Sequence, residues 1–107
     1  MVDHELNELR REFLDEAREK IDEMHATLAE LSAAPAVERL AYLAHQLKGS
    51  GGSYGYQRIS DDAAEIEKAT ETLTGTNGTR TSIEEKLREH VTNIRSEIDK
   101  AVAELAS

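Results

Sequence analysis

The segment His45-Gln46-Leu47-Lys48-Gly49-Ser50-Gly51-Gly52-Ser53-Tyr54-Gly55 carries the residues best suited to chemistry. A histidine is followed by a lysine at +3 and by glycines at +4 and +7. With about 3.6 residues per helical turn, those positions lie around the imidazole on one side of a helix. The lysine can reach a group attached to the ring, and the glycines remove bulk beside it. Such a histidine is equipped to carry a phosphoryl group and to be approached closely by another protein. A free imidazole titrates near neutrality, so a ring in water is largely neutral and nucleophilic at physiological pH. Phosphoryl transfer asks for positioning and charge stabilisation more than for covalent help, and a compact ammonium such as that of Lys48 supplies charge.

Four helical segments are expected to position these groups. The first runs from about Asp3 to Leu31, with apolar residues Leu6, Leu9, Phe13, Ala17, Ile21, Met24, Leu28 and Leu31 at steps of three or four. Ser32-Ala33-Ala34-Pro35 breaks it. The second begins near Ala36 with the stripe Val37, Leu40, Ala44, Leu47. The third is expected to open at Ser60 as N-cap, with Asp61 and Asp62 in its first turn and the stripe Ala63, Ile66, Ala69, Leu73. Thr74 to Thr81 reads as a loop, and Ser82-Ile83-Glu84-Glu85 as a capping box for the fourth helix. That helix carries Ile83, Leu87, Val91, Ile94, Ile98, Ala101 and Leu105. Each stripe must bury itself on a partner, and short connections favour antiparallel neighbours. The expected fold is all-α, an antiparallel up-down-up-down four-helix bundle, with residues 1–107 as a single domain.

Local propensity and function conflict in the second helix. Each interior glycine costs a helix roughly 1 kcal/mol relative to alanine, which would end it at Lys48. The spacing of His45, Lys48, Gly49 and Gly52 works only if the helix continues, and local rules often fail at functional sites. The helix is therefore expected to reach about Ser53 and to turn at Gly55. Stepping about 100° per residue, Leu40, Leu43, Ala44, Leu47 and Gly51 share one side, and His45 falls about 150° from its centre, facing solvent.

Composition bounds the alternatives. The 107 residues contain no cysteine, so disulfides and thiolate metal sites are excluded. One proline and four aromatic residues argue against a β-sandwich. No apolar run approaches the roughly 20 residues of a membrane span, and the N-terminus lacks a secretory pattern, so a cytoplasmic location is expected. The net charge of -9 disfavours nucleic acid and anionic membranes. Residues 36–58 carry one acid, Glu38, against three bases, Arg39, Lys48 and Arg58, a less acidic island to which an acidic partner surface can be steered.

His45, Leu47, Lys48, Gly49, Ser50 and Gly55 resemble the signature of the histidine-containing phosphotransfer (HPt) domains of phosphorelays. Leu9 to Ala17, Arg39 to Ala44 and Ala64 to Ala69 resemble the family's first helix, its lead-in to the histidine and its third helix. The resemblance implies a monomeric bundle in which His45 accepts a phosphoryl group from a receiver-domain aspartate, or from a sensor histidine kinase, and passes it to a response-regulator aspartate. It implies a carrier without ATP-dependent kinase activity and without a cofactor, Mg²⁺ being held by the partner receiver domain. Glu67, 22 residues after His45, stands where chemotaxis-kinase phosphotransfer domains have a glutamate bonding the imidazole. There it would accept from Nδ1 and leave Nε2 to attack. Ala41, Tyr42, Gly49 and Gly52 are the expected partner-docking residues. Gly51 stands where the family more often has Ser or Ala, which implies a softer helix.

Two alternatives within reach are a non-catalytic helical adaptor and a phosphotransfer piece excised from a chemotaxis-type or hybrid kinase. A metal-carboxylate bundle is disfavoured. It needs Glu-x-x-His pairs, and Asp22 and Leu87 stand three residues before His25 and His90. His4, His25 and His90 are accordingly expected to hold no metal. A nucleotide-binding loop is disfavoured too, because Lys48 precedes the glycines instead of following them.

Overall fold

Residues 2–75 and 80–106 are described by a computed structural model. Helix α1 spans Val2–Thr27 and ends in one 3₁₀ turn at Leu28–Glu30; α2 spans Ala34–Ser53, α3 Gln57–Gly75 and α4 Arg80–Ala106. There is no strand among the described residues. Pairings across the helices fix their directions. Arg18 meets Asp99 and Asp22 meets Arg95, so α1 and α4 run antiparallel. Glu23 meets Arg39 and Arg10 meets Tyr54, which sets α1 against α2. His45 with Glu67 and Lys48 with Ser60 set α2 antiparallel to α3, and Asp62 with His90 and Arg58 with Glu97 set α3 antiparallel to α4. Among the described residues each helix packs on two neighbours and none on its diagonal, an up-down-up-down bundle about 53 Å long and 19 Å across.

The core is continuous from Phe13 and Leu14 at one end to Leu31, Val37 and Leu73 at the other. A side chain buried as fully as Leu40, Leu47, Ile66 or Ile94 contributes about 1.5–3 kcal/mol of transfer free energy, an upper bound that chain ordering offsets. The stripe of α1 differs from the expected one at two positions. Leu14 is fully buried and Leu9 is 47% exposed. Phe13, Leu14, Ala17, Ile21, Met24 and Leu28 centre the buried face between Phe13 and Leu14, and Leu9 then falls about 90° from that centre.

Two caps expected from the sequence do not form. α3 begins at Gln57, three residues before Ser60, because Tyr56 O already accepts the Ser60 amide at 3.1 Å. Ser60 is buried inside the helix and its hydroxyl donates to Lys48 O at 2.7 Å instead of capping α3. Likewise α3 runs on to Gly75 and α4 is already helical at Arg80, so Thr74 and Thr81 are helical and Ser82 is an exposed interior position, not a cap. The rest of the expected loop, residues 76–79, lies outside the described residues.

Candidate functional site

The glycine-rich segment is helical throughout and α2 ends at Ser53, as the spacing of its functional residues requires. Tyr56 N donates to Gly51 O at 2.8 Å and Gly55 N to Gly52 O at 3.2 Å, a Schellman closure in which Gly55 takes the left-handed φ of +86°. Phe13 of α1 stacks on Tyr54 and Tyr56 at centroid distances of 5.2 and 5.8 Å, pinning the turn to the bundle. Arg10 donates to Tyr54 O from the same helix. The helix that weak local propensity would fray is thus clamped just beyond its last turn.

The glycines divide by what surrounds them. A Cβ on Gly51 would stand 3.2 Å from Ser60 N and 3.3 Å from Tyr56 O, so this buried glycine lets the start of α3 press against α2. That closeness explains the absence of a side chain here better than local softness does. At Gly49 a Cβ would meet nothing within 4 Å, and at Gly52 it would meet only Ser60 Oγ at 3.7 Å. Neither glycine is required by packing, and the bare surface they leave lies beside His45.

His45 stands on the solvent face, its side chain 69% exposed. Its Nδ1 lies 2.9 Å from Glu67 Oε2. A carboxylate oxygen accepts, so Nδ1 carries the proton and donates, and Nε2 keeps its lone pair free. Glu67 Oε1 lies 3.6 Å from Lys48 Nζ. One carboxylate on α3 therefore holds both the ring and the ammonium of α2. Ser60 fixes the helix beneath them through Lys48 O. His45, Lys48 and Glu67 come together as the sequence implied. The role of Glu67 as a bridge to Lys48 was not foreseen, because it depends on the α2–α3 register.

Tyr42, one turn before His45, is 52% exposed. Its hydroxyl accepts from Gln46 Nε2 at 2.8 Å, and the Arg39 guanidinium sits 5.4 Å from its ring centroid. Arg39 in turn pairs bidentately with Glu23 of α1. The hydrogen bond from that guanidinium holds the Glu23 carboxyl below the usual carboxylate range. Ala41 is half-buried on the same helix. A shallow groove between α1 and α2 is lined by Lys20, His45, Gln46, Gly49, Ser50 and Ser53. Lys20 was missed by sequence reasoning.

The remaining histidines lie elsewhere. His90 Nδ1 meets Asp62 Oδ1 at 2.8 Å between α3 and α4, and His4 lies 3.4 Å from Glu8. Among the described residues no three histidine, aspartate or glutamate side chains gather as a metal site would need. None of the helices in the described residues is long and apolar enough to cross a membrane.

A family model described as the Hpt domain matches residues 8–106 of the 107-residue chain. No curated protein and no solved structure matches it.

Proposed function

The chain belongs to the Hpt domain family, whose members carry phosphoryl groups on histidine in two-component signalling, and from that premise we propose that His45 is its phosphoryl-accepting residue. The observation that carries this reading is the exposed ring whose Nδ1 is tied to Glu67 while Nε2 faces away from α3.

The Nε2 lone pair attacks the phosphorus of an aspartyl phosphate on a receiver domain. The P–O bond breaks, and its electron pair leaves with the partner's carboxylate. The ring becomes a phosphoryl-imidazolium that keeps its Nδ1 proton, and Glu67 stabilises that positive charge through the hydrogen bond it already makes. Lys48 neutralises charge on the phosphoryl oxygens. Because the donor and acceptor aspartates are chemically alike, the same steps in reverse deliver the group to a response regulator or return it. Gly49 and Gly52 let the receiver's loops close over the ring, and Ala41 and Tyr42 form the docking rim. A sensor histidine kinase is the original source of the phosphoryl group.

In this account the chain is a cytoplasmic monomeric carrier. It binds no ATP and needs no cofactor of its own, Mg²⁺ being held by the receiver. The test is to incubate the protein with a phosphorylated receiver domain and follow acid-labile, alkali-stable label. Wild type takes up label and His45→Gln does not. Label on the glutamine variant at the wild-type level refutes the assignment.

A further inference from the structure

The charge around His45 is incompletely used by the steps above. Lys48 is already committed to Glu67 at 3.6 Å. A second cation, Lys20 of α1, lines the same groove as His45 and Gly49. Its own helix offers carboxylates at Glu16, Glu19 and Glu23, the first and last at helical pairing distance. No ion pair of Lys20 within 4.0 Å is formed among the described residues, whereas Arg39 holds Glu23 with both arms. Arg39 thereby holds one of the two carboxylates within helical reach of Lys20. Lys20 is half-buried and stands between two shallow grooves, one lined by Glu16, Glu19, Glu23 and Arg39 and the other by His45 and Gly49.

The ring's orientation gives that ammonium a task. With Nδ1 bound to α3, Nε2 points away from α3, and the groove that His45 lines on its other side belongs to α1 and α2. A phosphoryl group on Nε2 stands over this groove. We infer that Lys20 is a second phosphoryl-binding cation, which contacts the oxygens from the α1 side while Lys48 serves the α3 side. The inference rests on His45 being the phosphorylated residue. It assigns to Lys20 the dianionic phosphoryl group itself, not the surface of a partner protein.

The experiment therefore needs no partner. The intact protein is phosphorylated with potassium phosphoramidate, and the phosphohistidine signal is followed by ³¹P NMR as a function of pH. The midpoint of that titration reports the second ionisation of the phosphoryl group, which a nearby cation lowers. The carboxylates of Glu16, Glu19, Glu23 and Glu67 raise it and Lys48 lowers it, alike in wild type and in Lys20 variants. Lys20→Ala is expected to move the midpoint upward by about 0.5 pH unit, the effect of one charge about 6 Å away in watery surroundings. Lys20→Arg is expected to keep the wild-type midpoint, and Lys20→Glu to move it further than alanine. A Lys20→Ala midpoint equal to wild type, with Lys48→Ala shifted, overturns the role of Lys20 and leaves His45 in place. Label persisting in His45→Gln, or no label on His45 in wild type, overturns instead the reading on which the inference rests.

Discussion

At the scale of single residues, reactivity here comes from the way one carboxylate is shared. Glu67 fixes the imidazole tautomer and at the same time restrains Lys48, and its own side chain is only 26% exposed, so the pair is held more firmly than a fully solvated contact. Removing it by Glu67→Ala frees the ring to rotate and to exchange tautomers. Phosphoryl uptake by His45 is expected to fall about ten-fold, equivalent to about 1.4 kcal/mol of transition-state stabilisation, in stopped-flow transfer assays from a phosphorylated receiver. Lys48→Ala is expected to slow transfer without altering helicity by circular dichroism, since its side chain is half exposed and its backbone carbonyl still accepts from Ser60. An unchanged transfer rate in both variants would leave the histidine without the assistance assigned to it.

At the scale of elements, the three glycines of α2 separate packing from access. Gly51→Ala forces a methyl group against the backbone at the start of α3 and is expected to cost about 1–3 kcal/mol in urea denaturation. Gly49→Ala meets open space and is expected to stabilise the protein by about 1 kcal/mol through helix propensity, yet to slow transfer from a receiver. Opposite signs for two glycines two residues apart are the signature of this division; equal effects would contradict it. The helical course of this segment was legible because His45, Lys48, Gly49 and Gly52 make chemical sense only on one helix, and the angular position of His45 followed from the apolar stripe. The caps were not legible. Ser60 has the composition of an N-cap, but the Schellman turn at Gly55 delivers the chain in helical geometry three residues earlier. Lys20 was hidden for a related reason: it flanks the apolar stripe of α1, and only the register of α1 on α2 brings it beside His45.

At the scale of the whole molecule, the bundle is an elongated rod with His45 exposed on its side. Its four-helix order could be read from the stripes and the short connections, because each amphipathic face has one inexpensive way to be covered. Tyr56 in the α2–α3 turn makes this end of the rod sensitive to alkali. Burial raises the Tyr56 phenol above its ordinary pKa of 10, so the folded state disfavours the phenolate. The resulting stability is fully present below pH 10 and declines as pH rises through the higher folded value. Tyr56→Phe is expected to lose less stability than wild type between neutral and strongly alkaline pH in denaturant titrations, and an identical decline would contradict this. The bundle's central task, to offer Nε2 of one histidine while Nδ1 stays bound, is tested most directly by long-range ¹H–¹⁵N correlation NMR on the phosphorylated, ¹⁵N-labelled protein. A single phosphohistidine is expected, at Nε2 of His45, with Nδ1 still protonated. Phosphorylation at Nδ1, or on another histidine, would contradict it.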